Sequence, residues 1–193
     1  MKIQQILQNA LQSAMDKDKE IAETTLLKIH RQRSINWVES LAGEFRKVYP
    51  RDKDFRVFSK YHDQNRDFGL NELLYDISVC RVNRITSPRH IELVYIEHAV
   101  WLVESEMAKD TRQLVYDFNK MVIGNAENKL FVGPLSEEIE KFIPKPGTIA
   151  RNCRGLVYLC LIPHPEKWHT GINKPKVWNY NGEEFINLDQ IHS

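Results

Sequence analysis

The stretch from Val100 to Lys120, VWLVESEMAKDTRQLVYDFNK, limits what this chain can fold into more than any other. Val100-Trp101-Leu102-Val103 is an unbroken apolar run that leads directly into two carboxylates, Glu104 and Glu106. Residues two apart on a strand point to one face, so both carboxylates share a side. A solvent-facing strand edge is one reading of the pair. Such a strand would alternate apolar and polar residues ahead of the pair, and Val100–Val103 does not. Paired carboxylates at the end of a buried strand are costly without a cation between them, and a divalent metal supplies one. A helix is predicted over 111–123, capped by Asp110 or Thr111 and ended by Gly124-Asn125. Its core face is Leu114, Phe118, Met121 and Val122. Gln113, Asp117 and Lys120 share a polar face at i, i+4, i+7 spacing. That face is either part of a site or a solvated Asp–Lys pair.

Upstream, the chain is predicted to open with helices. Ile3, Ile6, Leu7, Ala10, Leu11 and Ala14 give an amphipathic helix over 2–15, which Asp16-Lys17-Asp18 should break. A second helix is predicted over 18–31. Ser34 is a plausible N-cap for a third over 35–49, closed by Pro50. The first 33 residues therefore read as a helical arm, and 34–193 as a single α/β domain. Strands are predicted at 55–61 and at 73–82, the latter interrupted by Asp76. Asp76 could equally cap a turn or pair with Arg81. Residues 89–99 fit a helix and a strand equally well, and Val100–Met107 is the next strand. Further strands are predicted at 129–133 and 155–162. A helix follows Ser136, and Asn181-Gly182 marks a hairpin near the C-terminus. The order is that of an α/β layer fold, and the helix over 111–123 suits a parallel crossover.

Composition excludes little. The 193 residues carry 27 basic and 26 acidic side chains for a net charge of +1, which neither requires nor forbids a nucleic-acid partner. Cys80, Cys153 and Cys160 have no paired spacing; Cys80 and Cys160 read as small core residues. Trp168, Trp178 and Tyr180 read as core or interface, and His164 as a loop residue. The polar start and the lack of any 18-residue apolar run lead us to expect a soluble, cytoplasmic protein with no membrane partner.

Asp76, Glu104 and Glu106 each end or interrupt an apolar strand. If the two strands are neighbours, the three carboxylates can converge into the hard-oxygen environment that Mg²⁺ or Mn²⁺ prefers. In this respect residues 35–135 resemble the PD-(D/E)xK nuclease superfamily, the restriction-endonuclease-like fold. There a helix precedes a hairpin, one strand carries an Asp, and the next carries (Asp/Glu)-x-Lys. The resemblance implies a mixed central sheet flanked by helices, here with an N-terminal helical extension. It also implies a Mg²⁺- or Mn²⁺-dependent nuclease acting on DNA, with Asp76, Glu104 and Glu106 as ligands. Many such nucleases act as homodimers. Glu106 stands where the family has its lysine, and Lys120 is the candidate for a lysine moved to the following helix. Gln113, Arg112 and Lys109 are candidate substrate contacts, as are Arg56, Lys60 and Arg66 for phosphate. Glu39 or Glu44 could supply the extra carboxylate that members carry on the first helix. Two rivals remain at this level: the same fold with a decayed site, binding nucleic acid or protein without cleaving, and an unrelated α/β interaction protein.

Overall fold

The computed structural model describes residues 2–18, 25–61, 65, 67–108, 110–142, 144–168 and 174–189, with the backbone alone for 144–146. Two long helices, α1 (Ile3–Asp18) and α2 (Leu26–Val48), precede a seven-stranded sheet. Its strands are β1 (Phe55–Ser59), β2 (Ile77–Thr86), β3 (Glu92–Ser105), β4 (Ala126–Leu135), β5 (Leu156–Pro163), β6 (Lys176–Tyr180) and β7 (Phe185–Asn187), lying side by side in chain order. β1, β2 and β3 are mutually antiparallel, β3, β4 and β5 run parallel, and β6 and β7 return antiparallel. The parallel steps need crossovers. α3 (Thr111–Phe118) and α4 (Lys120–Ile123) make the first, and α5 (Glu137–Phe142) and α6 (Pro144–Ala150) make the second.

The two-residue period of the central strands divides the core. Val79, Trp101, Val103, Leu130, Val132 and Cys160 face one way and pack on Leu7, Leu11, Trp37, Leu41 and Phe45 of α1 and α2. Phe131, Leu159 and Leu161 face the other way and pack on Leu114, Phe118 and Ile139. A smaller cluster of Tyr75, Leu102, Met121 and Ala126 sits where α4 meets the sheet. The result is a mixed sheet sandwiched between helices. Cys80 and Cys160 are buried free thiols, and burial pushes the Cys80 thiol up to about 12. Trp168 and Trp178 are core residues, as expected. His164 precedes a 3-10 turn over Pro165–Lys167, and its Nδ1 accepts the Glu166 N–H at 3.2 Å. No helix among the described residues is long and apolar enough to cross a membrane.

Several local expectations change. Asp16-Lys17-Asp18 does not break α1 but forms its last turn. The helices expected over 18–31 and 35–49 are joined in α2 from Leu26, while 19–24 lie outside the described residues. Ser34 is therefore inside a helix, where its hydroxyl donates to the His30 carbonyl at 3.1 Å instead of capping. Residues 33 and 34 are consecutive in α2, and α1 shares the main core with the sheet. The ambiguous segment 89–99 is strand, continuous with 100–105. Asp76 sits one residue ahead of β2, not within it.

Ser34→Ala should change unfolding free energy by no more than about 0.5 kcal/mol, because no helix end depends on it; a true N-cap would cost about 1. Leu41→Ala, which empties a fully buried position beneath the sheet, should cost about 2–5 kcal/mol. Urea denaturation of both variants checks the contrast.

Candidate functional site

Antiparallel pairing brings the first two carboxylates together. Ile77 is opposite Val103, so one further step along each strand sets Asp76 beside Glu104. Asp76 Oδ2 accepts the Ser105 N–H at 2.8 Å, fixing the aspartate across the end of β3. Alternation decides the direction of each side chain. Val103 enters the α1/α2 core, and the Ser105 hydroxyl accepts the Trp37 indole N–H at 3.0 Å. Leu102 and Glu104 face α3 and α4, with Glu104 only 4% exposed. Strand-like pairing continues to Glu106, whose N–H donates to Val132 O at 2.9 Å. Its Oε1 accepts the Ala108 N–H at 2.6 Å.

The crossover helix supplies the rest. The Asp110 side chain caps α3 by accepting the Arg112 N–H at 2.8 Å. Asp117 then faces the sheet end, held through Oδ2 by the Gln113 amide at 2.9 Å. One turn later the Lys120 ammonium donates to Glu104 Oε2 at 3.1 Å and lies 3.0 Å from Asp117 Oδ1. Asp117 also hydrogen-bonds with Glu106, so the two carboxyls share a proton. Asp76, Glu104, Glu106, Asp117 and Lys120 thus form one cluster.

Four carboxylates against one ammonium leave a formal −3 if all ionise, and the cluster responds as electrostatics requires. Burial, aided by the Asp76 charge, raises Glu104 to about 7 against the pull of Lys120. Burial also raises Asp76, outweighing the Ser105 N–H and the Lys120 charge. Glu106 is raised by burial and by the proton it shares with Asp117. Asp117 is lowered, because hydrogen bonds from Gln113, Lys120 and Glu106 outweigh its own partial burial. Lys120 is raised, since Asp117 and Glu104 outweigh desolvation. Among the described residues no three histidine, cysteine or carboxylate side chains are grouped so as to hold a metal ion. The cation these carboxylates hold in this arrangement is Lys120.

The backbone beneath Lys120 is gripped twice. The Tyr75 hydroxyl, next in sequence to Asp76, donates to the Lys120 carbonyl at 2.9 Å. Lys129, wholly buried on β4, donates to the Met121 carbonyl at 2.6 Å. A cation at a helix C-terminus is favourable there, and it satisfies a carbonyl that the short helix leaves free. Gly124 makes the close approach possible, because a Cβ would stand 2.3 Å from the Tyr75 hydroxyl and 2.6 Å from Leu102 Cδ1.

Asp76, Glu104, Glu106 and Lys120 therefore meet. Gln113 joins them only by orienting Asp117. Arg112 points elsewhere: its Nε donates to the Tyr116 hydroxyl at 2.8 Å, and its guanidinium stacks on that ring. Lys109 and Arg66 lie outside the described residues. Glu39 accepts the Ser59 hydroxyl at 2.9 Å and lies 3.8 Å from Arg46, while Glu44 pairs with Lys47. Both carboxylates are engaged away from the cluster. Arg56 is buried, clamping Asp67 at 2.7 Å, rather than open to phosphate. Lys60 lies over the Tyr61 ring. Arg81 pairs with Glu97 rather than with Asp76. Asp117 was visible in the sequence as part of a polar helix face. Tyr75 gave only adjacency to Asp76, and Lys129 only the oddity of a lysine opening an apolar strand. No protein-family profile, curated protein or solved structure gives a significant match to the chain.

The raised Glu104 has a thermodynamic consequence. Between its ordinary value near 4.5 and its folded value of about 7, the folded state holds a proton that the unfolded state has released. Its contribution favours folding at low pH and is lost as pH rises through about 7. In chelator, Glu104→Gln should therefore gain stability over wild type between pH 5 and pH 8 by on the order of 2 kcal/mol. Paired thermal melts at the two pH values check the sign.

Proposed function

We propose that this chain is a divalent-metal-dependent nuclease of the PD-(D/E)xK type that hydrolyses DNA phosphodiester bonds. One observation carries the reading: Asp76 and Glu104 stand side by side across β2 and β3, and the helix that follows delivers Lys120 to Glu104. The order of elements supports it, with α2 before the β1–β3 meander and a helical crossover into parallel β4, as in the restriction-endonuclease-like fold. Lys120 occupies the role that Glu106, at the usual lysine position, cannot fill.

The donor set suits a hard cation: four carboxylates and no sulfur or imidazole. Asp76 and Glu104 would hold it, with Glu106 or Asp117 completing the set once Lys120 moves off Glu104. Such an ion supplies Lewis acidity toward the phosphoryl group and lowers the pKa of water. The Lys120 ammonium then offers a fixed positive charge to a pentacoordinate phosphoryl group. Asp76, tied to the Ser105 N–H, keeps its place when the lysine shifts. Tyr75 and Lys129 keep the Lys120 backbone in register with the strand ends.

Cleavage of plasmid and single-stranded oligonucleotide with Mg²⁺ and with Mn²⁺ is the test. Asp76→Ala and Glu104→Ala should each abolish it, and Lys120→Ala should slow it by roughly 100-fold or more. Wild-type activity that survives both carboxylate substitutions overturns the assignment. A second reading, a nuclease-like fold that binds nucleic acid or protein without cleaving, is favoured by the ion pairs that engage Lys120 with Glu104 and Asp117. Calorimetry separates the two, since a decayed site takes up no Mn²⁺ at millimolar metal.

A further inference from the structure

The far end of the β2–β3 hairpin leaves the sheet. β1 stops where Phe55 pairs with Arg81, and β4 begins where Ala126 pairs with Ala99. Residues 82–86 and 92–98 consequently have only each other as strand partners. A two-stranded ribbon is marginal in water unless something covers a face. Here one face is apolar. Ile85, Leu93 and Tyr95 share it by register, and Ile91 continues the alternation at the tip. They are 57%, 49%, 43% and 55% exposed, respectively. This face continues the side on which α2 packs, since Ile77 and Val79 of the same parity lie in the α2 core. The helix layer ends before reaching it.

We propose that this face is the contact surface for a second copy of the chain. Charge argues for it. The ribbon's arginines are matched locally: Arg81 lies 3.5 Å from Glu97, and Arg84 lies 2.9 Å from Asp54 and 3.3 Å from Glu92. A phosphate backbone is bound by unneutralised cations, and an oppositely charged protein by a net field. An apolar strip with its charges already paired is complementary to itself. A two-fold axis through it sets Leu93 and Tyr95 of one copy against the same residues of the other. The four side chains offer roughly 400 Å² per copy, large for a monomer's exposed patch but about half the area per partner in a standard interface. The ribbon backbone and flanking Asn83 add the remainder of a small interface, so the dimer should form in the micromolar range. Ten residues of β2 place Thr86 about 30 Å from Asp76, so association here leaves the carboxylate cluster uncovered.

Sedimentation equilibrium of the intact protein, from about 1 to 200 µM, measures the association constant directly. It requires no cleavage, so its outcome is independent of the nuclease reading. The expected result is a concentration-dependent dimer. The double substitution Leu93→Lys with Tyr95→Lys should weaken it at least tenfold. Tyr95→Ser, a milder change, keeps the test informative should the double variant misfold, and should weaken it severalfold. A wild type that stays monomeric throughout overturns the proposal, as does a dimer whose constant neither variant changes. Ribbon variants that lose DNA binding in a monomeric protein would assign the arm to nucleic acid instead.

Discussion

The Lys120 ammonium is the only positive charge among Asp76, Glu104, Glu106 and Asp117, and the local structure is arranged around keeping it there. Without it, Glu104 would be a nearly buried carboxylate whose neighbouring charge is another carboxylate. The cluster is relieved in three ways: by the lysine, by protonation of Glu104, and by the proton shared between Glu106 and Asp117. Each relief is reversible. A divalent cation can replace the lysine's charge and displace both protons, which explains how a group of acids that opposes folding can persist. The cost is local, and the large core under α1 and α2 on the opposite face sustains it.

Placement of that ammonium is a matter of backbone as much as side chain. α4 spans four residues, too short to hold its own position. Tyr75 binds its first carbonyl and Lys129 its second, so it is pinned from the β2 side and from β4 at once. Tyr75 precedes the aspartate, and the same three-residue stretch, Tyr75 to Ile77, thereby sets the Asp76 carboxylate, the Lys120 carbonyl and the β2–β3 register. Gly124 allows this closeness for want of a side chain.

How much of this was legible follows from how far each determinant reaches along the chain. Val100–Glu104 declared itself, because burial on both faces and an abrupt change to acid are local properties, and β3 ends where the run predicts. The meeting of Asp76 with Glu104 required only that two predicted strands be neighbours. The ends of helices were less legible. Ser34 has the residue type of a cap, but α2 runs through it because Trp37, Leu41 and Phe45 continue an apolar stripe that the sheet buries. Residues 89–99 were ambiguous because their apolar side chains are exposed, so no core face imposes a period. Lys129 and Tyr75 were missed for a different reason. Their partners are backbone carbonyls, which leave no trace in side-chain spacing.

β3 joins two surfaces of opposite character in fourteen residues, exposed from Glu92 to His98 and buried from Val100 to Glu104. Two register shifts against β2 fall at the boundary, between Val79 and Cys80 and between Arg81 and Val82. A bulge adds a residue to one strand and takes up twist locally. Bending of the ribbon is therefore absorbed at residues 96–100 before it reaches Glu104, whose position is set independently by Val103 in the core and by the Asp76 bond to Ser105. The same bulges rotate the ribbon relative to the sheet and carry its apolar face past the end of α2. The irregularity that insulates the carboxylate cluster is also what leaves Ile85, Leu93 and Tyr95 without a cover of their own.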